Sequence, residues 1–329
     1  MGLSLTVACW DYDRTRALFD GRVKIEGCDA TFLNLPVEET FFRALRGREF
    51  DVAELSLSSY TMLRSRGECP YTAIPVFLSR MFRHSAIYVR RGAGIEKPQD
   101  LVGRTVGVPE YQLTAPVWVR GILEDEYGVK PSDIRWRTGG VEKPGRHEKV
   151  AMQAPPGVEI SPVPAGETLV DWLLDGKLDA LVAPRAPGIF AQGHPDIIRL
   201  FPDFREVESG YFRSTGIFPI MHVVGIRNEL VERNPWLPSS LLKAFTAAKD
   251  HALRELGEVG ALKVSLPWLA SDYLDAVNAI GRDFWSYGVP GNEATLNAFL
   301  RYHHGQGLSA RPMTIEELFA PQTLEQFVI

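Results

Sequence analysis

Residues 173–187 read LLDGKLDALVAPRAP and combine a helix end, a glycine stop and a buried strand that opens into a loop. Gly176 suits the left-handed conformation that commonly ends a helix. The apolar run at residues 179–183 is predicted to be a strand, because it is short and is bounded by turn residues. A helix followed directly by a buried strand is typical of open α/β sheets.

The same pattern occurs earlier in the chain, where residues 44–59 read ALRGREFDVAELSLSS. Gly47 is the predicted helix stop in this copy, and residues 51–55 form the predicted strand. Two copies of one α/β pattern predict two similar lobes that face each other. Ligands of open α/β sheets bind beyond the carboxyl ends of the strands, so we expect a ligand cleft between the lobes.

The order of the elements places the lobe boundaries. We predict a discontinuous first lobe of residues 1–92 and 201–329, which includes the C-terminal helices, and an inserted second lobe of residues 93–200. Residues 214–227 (STGIFPIMHVVGIR) return the chain to the first lobe. The predicted strands are residues 4–9, 51–55, 85–89, 105–108, 133–137, 179–183 and 217–224. The predicted helices are residues 38–46, 98–101, 114–127, 168–174, 238–256, 271–286 and 293–301.

Composition narrows the class of protein. The chain has 329 residues, 45% of them hydrophobic and 23% charged, which is the balance of a globular protein. Its net charge of −5 argues against a nucleic-acid partner.

The first residues, MGLSLTVACWDYDR, have no basic segment before a long apolar run, and no run is long enough to span a membrane. The three cysteines show no CxxC spacing. We therefore expect a cytoplasmic protein with reduced thiols and no membrane partner.

Longer stretches resemble known proteins. The phrases EKPQDLVGRTVGV (residues 96–108) and LLDGKLDALVA (residues 173–183) are similar to the entry and exit of the second lobe in type II periplasmic binding proteins. Residues 103–129, 141–150, 178–187 and 210–224 together resemble the 4,5-dihydroxyphthalate decarboxylases of phthalate degradation, and the resemblance covers essentially the whole chain. It implies a two-lobed type II periplasmic-binding-protein-like α/β fold. It also implies loss of one carboxylate from 4,5-dihydroxyphthalate, giving 3,4-dihydroxybenzoate.

An aromatic dicarboxylate substrate requires cations in the site. Arginine suits this task because its planar guanidinium binds carboxylates through two hydrogen bonds. Four arginines lie in predicted loops, and Arg185 is the best placed of them, because Pro184 and Pro187 fix the backbone around it. The other three are Arg80, Arg83 and Arg146. The remaining candidates for substrate contact carry hydroxyl groups: Ser56, Ser58, Tyr111, Thr114 and Thr215.

Residues 109–116 (PEYQLTAP) join a predicted strand to a predicted helix. Thr114 can cap this helix, Pro116 lies in its first turn, and the free N–H groups there can bind a carboxylate. Glu110 is a candidate to orient or deprotonate a catechol hydroxyl. The alternatives are an ordinary capped helix and a structural salt bridge at Glu110.

A general acid must protonate the ring carbon that loses the carboxylate, and histidine fits because it titrates near neutral pH. Two of the seven histidines lie in strand contexts near other candidates. His222 interrupts the apolar strand of residues 217–224, and His84 follows Arg83. A histidine in an apolar strand can also be a core residue, so both interpretations stay open.

The reaction requires no organic cofactor or metal, and the sequence has no HExxH motif and no cysteine ligand pair. We therefore expect no cofactor, with a divalent metal as the alternative. The expected partner is a small aromatic carboxylate substrate, and the C-terminal helices could form the interface of a homo-oligomer. Two alternatives remain open: a solute-binding protein for an aromatic carboxylate, and a decarboxylase of another hydroxylated aromatic acid.

Overall fold

The computed structural model describes residues 2–325. Contacts between elements divide the chain into two units. Unit 1 is formed by the described residues up to Arg80, by Phe212–Asn297 and by the described residues from Met313 onward, and unit 2 is formed by Met81–Tyr211 and Ala298–Pro312. The predicted inserted lobe, residues 93–200, lies within unit 2, which also contains residues 298–312 from the C-terminal third.

Strands and helices alternate along most of the chain, as the repeated pattern predicts. The strands of the described residues are β1 (Leu3–Cys9), β2 (Cys28–Asn34), β3 (Val52–Ser56), β4 (Tyr71–Arg80), β5 (Ile87–Arg90), β6 (Thr105–Val108), β7 (Arg135–Thr138), β8 (Glu159–Pro162), β9 (Ala180–Val182), β10 (Ile197–Arg199) and β11 (Ile220–Arg227). The helices of the same range are α1 (Asp13–Phe19), α2 (Val37–Phe42), α3 (Leu57–Ser65), α4 (Thr114–Tyr127), α5 (Leu169–Leu174), α6 (Gly188–Ala191), α7 (Phe204–Thr215), α8 (Asn228–Arg233), α9 (Leu237–Leu256), α10 (Leu269–Ile280), α11 (Glu293–Gly305) and α12 (Ile315–Leu318). None of these helices is long and apolar enough to cross a bilayer.

Unit 1 is built on a five-stranded sheet with the order β2-β1-β3-β11-β4. Strands β1, β2 and β3 are parallel, so their carboxyl ends share one edge. Strand β11 runs antiparallel between β3 and β4, and its first residues lie at that same edge. The sheet therefore brings residues that follow β1, β3 and β4 together with the start of β11.

Strand β11 is irregular where its histidine lies. Its pairing with β4 shifts register on both sides of His222, while its pairing with β3 is continuous. Pro219 has no backbone N–H, but it lies before the strand, which begins at Ile220. It therefore does not interrupt the strand pairing. Irregular pairing of this kind re-aims side chains next to active sites.

Unit 2 is built on a six-stranded sheet with the order β10-β5-β9-β6-β7-β8. Strands β6, β7, β8 and β9 are parallel, and β5 runs antiparallel to β9 and β10. The hydrophobic core of this unit includes the buried residues Leu169, Leu173, Leu178 and Leu181. Residues 105–108 and 114–127, predicted as a strand and a helix, have those bounds in the structure.

The two repeated patterns end their helices differently. Gly176 has a φ of +73°, as predicted for a helix stop. The prediction for Gly47 is wrong, because the left-handed residue is its neighbour Arg48, with a φ of +53°. A helix with wider, π-type turns at Arg43–Gly47 extends α2, and this shifts the stop by one residue. Thr114 does not cap α4 as predicted. It is the first residue of that helix, and Leu113 occupies the capping position.

Candidate active site

The carboxyl edge of the unit 1 sheet carries a cluster of polar residues centred on Glu54 of β3. Glu54 is 1% exposed, although it is acidic and lies between apolar residues. A buried carboxylate requires hydrogen-bond donors to compensate for lost water. Its oxygens accept hydrogen bonds from the Tyr12 hydroxyl at 2.7 Å, from His222 Nδ1 at 2.7 Å and from the Trp10 backbone N–H at 3.1 Å.

His222 reaches solvent, as do Trp10 and Tyr12 of the same cluster. Its side chain is 17% exposed, and its ring packs edge-on against Phe41 with the ring centroids 4.8 Å apart. Because Glu54 holds Nδ1, the other ring nitrogen, Nε2, is left to exchange a proton with a ligand. Within residues 2–325, Nε2 has no hydrogen-bond partner. An imidazole held in this way by a carboxylate can act as a general acid.

Arg14 supplies positive charge beside the cluster. Its guanidinium carbon lies 4.0 Å from the centroid of the Tyr12 ring and 4.2 Å from that of Trp285. Its Nε donates to the carbonyl of Leu78 at 2.7 Å, which fixes the side chain against the end of β4. Its Nη1 is also paired with Asp13 at 3.0 Å, which balances part of the positive charge beside the cluster.

Burial keeps two neighbours of Glu54 neutral. Burial, then the nearby Glu54 carboxylate, raises the pKa of the Tyr12 hydroxyl above its usual value. The same two causes raise the pKa of the Cys9 thiol. Since a thiolate is the reactive form of cysteine, Cys9 is not poised as a nucleophile. Tyr12 is a hydrogen-bond donor to Glu54.

Of the predicted site residues in unit 1, two lie close to His222 along the sheet. Ser56 is directly opposite His222 in the β3–β11 pairing, and it is buried. Arg80 pairs opposite Ile220, two residues before His222. Ser58 is buried in the first turn of α3, and Thr215 ends α7, where its hydroxyl accepts from the Ile217 N–H at 3.1 Å.

Arg80 is a buried arginine that binds neutral groups. Its guanidinium donates to the carbonyls of Phe218 at 3.0 Å and Ser286 at 2.8 Å, and to the Asn292 side chain. In the described part of the chain, no carboxylate lies within ion-pair distance of it. Burial lowers its pKa to about 9.

Glu110, the predicted base of unit 2, is fully occupied. It is 1% exposed and accepts from Arg146 Nε at 2.8 Å, Lys149 Nζ at 2.8 Å and Gln112 Nε2 at 2.9 Å. Both of its oxygens are used, so little capacity remains for a catechol hydroxyl. This geometry favours the structural salt bridge that the sequence left open, and it accounts for Arg146 as well.

Of the other predicted substrate-binding residues in unit 2, three are buried and one is exposed. Tyr111 and Thr114 are buried at the turn before α4. Arg83 is buried, its Nη1 donates to the Pro184 carbonyl at 3.3 Å, and burial lowers its pKa to about 10. Arg185 is exposed in the loop after β9.

His84 lies in an aromatic core of unit 2. It is 2% exposed, and its ring contacts the rings of Tyr127, Phe201 and Tyr211. Neither ring nitrogen has a hydrogen-bond partner among residues 2–325. Burial lowers its pKa to about 4, so it carries no proton to donate at neutral pH. These surroundings disfavour His84 as the acid.

Replacing His84 with leucine is expected to leave the free energy of unfolding at pH 7 unchanged or to raise it by about 1 to 2 kcal/mol, because two unpaired polar atoms leave the core. Between pH 6.5 and pH 4, the unfolded protein binds a proton at His84 and the folded protein does not. This difference destabilises the wild type by up to about 3 kcal/mol as the pH falls through that window, and the variant lacks it. Denaturant titrations at pH 7 and pH 5 measure both effects, and equal losses in the two proteins would contradict the assignment.

Sequence reasoning proposed His222 but not its partner Glu54, nor Tyr12 and Arg14, which lie beside that carboxylate. The sequence did contain a feature that indicates Glu54. It is an acidic residue in the mainly apolar segment of residues 52–57, just as His222 is a polar residue in a mainly apolar strand. No metal centre accompanies the cluster: residues 2–325 contain no group of three or more His, Cys, Asp or Glu side chains placed to hold an ion.

Comparison with known proteins gives fold and family. The structure resembles the periplasmic aliphatic sulphonate binding protein SsuA from Escherichia coli with a TM-score of 0.53 and 12% identity, covering 99% of this chain and 100% of that one. It resembles a putative sulfonate-binding protein from Methylobacillus flagellatus with a TM-score of 0.51 and 13% identity, covering 98% and 92%. At these identities the likeness shows the fold alone, and it confirms the predicted type II periplasmic-binding-protein-like class.

No family model matches the chain. The sequence is 47% identical over 327 residues to the 4,5-dihydroxyphthalate decarboxylase of Comamonas testosteroni, and the alignment covers 99% of each protein. It is 48% identical over 212 residues to the enzyme of that name from Pseudomonas putida, covering 64% of this chain and 82% of that protein. The resemblance drawn from the motifs is confirmed: the chain belongs to the 4,5-dihydroxyphthalate decarboxylase family and is an enzyme of the carboxy-lyase class.

Proposed function

We propose that the protein removes one carboxylate from 4,5-dihydroxyphthalate to give carbon dioxide and 3,4-dihydroxybenzoate, with His222 as the proton donor. The names of the two relatives support the substrate. The observation that supports the mechanism is the 2.7 Å contact between His222 Nδ1 and the buried Glu54 carboxylate. Because Glu54 binds Nδ1, the Nε2 atom of the same ring points away from Glu54 and can carry the transferred proton.

The proposed reaction consists of one proton transfer and one bond cleavage. The hydroxyl para to the departing carboxylate donates electron density, which makes the ring carbon bearing that carboxylate basic. The imidazolium of His222 gives its Nε2 proton to this carbon. The bond to the carboxylate then breaks, its electron pair restores the aromatic ring, and carbon dioxide leaves. Neutral His222 regains a proton from water, so atoms and charge balance.

The surrounding residues support His222 in this role. Glu54 stabilises the imidazolium and fixes the orientation of the ring, and the donors Tyr12 and Trp10 hold Glu54 in place. Arg14 places positive charge beside a site that must accept a dianion. The para hydroxyl stabilises the protonated ring by donating electron density, and that ring accepts the electron pair of the broken bond, so the proposed step needs no metal and no organic cofactor.

The test is an assay of purified protein with 4,5-dihydroxyphthalate, with and without a chelator, in which carbon dioxide and 3,4-dihydroxybenzoate are measured together. We expect equal amounts of the two products and the same rate with chelator. Phthalate, which lacks the hydroxyls, should bind without being decarboxylated. Binding of 4,5-dihydroxyphthalate without products would exclude the proposed activity, and loss of the rate with chelator would exclude the metal-free step.

A further inference from the structure

One segment of unit 1 concentrates the exposed apolar side chains of the protein. The described residues contain twelve large hydrophobic side chains that are exposed, and six of the twelve lie within residues 259–274. Trp268, the largest of the six, is 73% exposed. Exposed apolar residues that are scattered singly are normal, whereas a concentrated group marks an interaction surface. The other five are Val259, Leu262, Val264, Leu266 and Leu274.

Helix α10, at the end of this segment, buries almost none of its own apolar side chains. Its one buried residue is Leu269. Tyr273, Leu274, Val277 and Ile280 belong to the same helix and are exposed or only half-buried. A helix of a globular protein normally packs an apolar stripe against another element. Here the described part of the chain leaves much of that stripe uncovered.

The exposed segment and α10 belong to one surface of unit 1. Helix α10 contacts α9, and a Cβ atom on Gly257, at the end of α9, would lie 3.1 Å from the Tyr273 hydroxyl. The chain therefore turns back between the two helices, and the exposed segment is the loop of that turn. We call residues 257–280 the turn surface.

The exposed apolar area of the turn surface is close to what a stable dimer needs. Covering its six exposed side chains would remove on the order of 400 Å² of apolar area from water. A standard interface buries about 800 Å² on each partner, and about 65% of a homodimer interface is apolar. The six side chains therefore supply most of the apolar area that one copy contributes to such a contact.

The charges of the turn surface favour a second copy over a lipid membrane. The surface carries three acidic residues, Glu258, Asp272 and Asp275, and one basic residue, Lys263. Segments that lie on membranes are rich in Lys and Arg, which this surface lacks. Lys263 has no ion-pair partner among residues 2–325. In a two-fold contact the same surface comes from both copies, so each Lys263 meets acidic residues of the other copy.

We propose that the turn surface packs against the turn surface of a second copy of this chain, with Trp268 as its main anchor. Tryptophan is enriched among the residues that dominate the binding energy of interfaces. The contact gives the exposed side chains and the uncovered face of α10 a common partner. None of these residues belongs to the cluster around Glu54, so the proposal is independent of the proposed function.

The experiment is sedimentation equilibrium of the full chain over a range of concentrations. We expect a wild-type mass of two chains or an even multiple of two. Trp268→Ser should raise the Kd of this self-association by about 30-fold or more, and Val259→Ser should raise it less. Trp236→Ser and Val102→Ser are the matched controls, because these residues are 42% and 54% exposed outside the turn surface. Both controls should associate as the wild type does.

Hydrogen exchange of the wild type tests the same contact without a substitution. The backbone N–H groups of residues 259–268 should exchange more slowly when the protein concentration is raised from below to above the Kd. A wild type that stays monomeric, unchanged association of folded Trp268→Ser, or equal weakening in the controls would overturn the proposal. Binding of a monomeric wild type to vesicles of phosphatidylserine and phosphatidylcholine would also overturn it, because the surface would then serve a membrane.

Discussion

Replacing His222 with glutamine is expected to lower kcat by about 10² to 10⁴-fold, the range that positioned acid catalysis usually contributes. Glutamine can still reach Glu54, but its amide does not give up a proton near neutral pH. The substituted ring carbon then has only water as an acid. Because His222 lies partly exposed at the sheet edge, the fold and KM should change little.

The measurement compares kcat and KM of His222→Gln with those of the wild type, using 3,4-dihydroxybenzoate formation. His84→Leu is the matched control: it removes the other predicted histidine, which is buried in unit 2, and should keep the wild-type rate. A kcat for His222→Gln within a few-fold of the wild type, in a folded protein, would show that another group donates the proton.

The sequence was sufficient where a local pattern determines the structure. The helix α4 and the strand β6 have the predicted bounds, because an apolar strand, a turn and a proline in the first helical turn are all local signals. The helix stop at Gly47 was wrong because the helix widens into π-type turns, which no local pattern indicated. Helix α7 was missed, since polar residues dominate Phe204–Thr215.

The site was predictable only in part, because its contacts join distant parts of the chain. His222 stood out as a polar residue in an apolar strand, but Glu54 lies 168 residues away from it and their contact depends on the pairing of β3 with β11. Glu110 was a reasonable candidate base by position. Whether its carboxylate was free depended on Arg146 and Lys149, which come after helix α4 and strand β7. Sequence spacing does not determine such partners.

Replacing Glu54 with glutamine is expected to lower kcat by about 10² to 10³-fold while preserving the shape of the site. The amide oxygen can still accept from Tyr12, and the side chain still fills the buried space. The negative charge that stabilises the imidazolium of His222 is lost.

A comparison of single and double variants separates this electrostatic role from a structural one. If Glu54 acts through His222, Glu54→Gln should lower kcat much less in a protein that already carries His222→Gln than it does in the wild type. Tyr12→Phe is the matched control, since it removes one donor to the same Glu54 oxygen but leaves the charge and the 2.7 Å contact with His222. Its kcat should fall far less than that of Glu54→Gln. If Glu54→Gln lowers kcat by the same factor in both backgrounds, Glu54 acts independently of His222, and the pairing of this carboxylate with His222 is not what makes the histidine an acid.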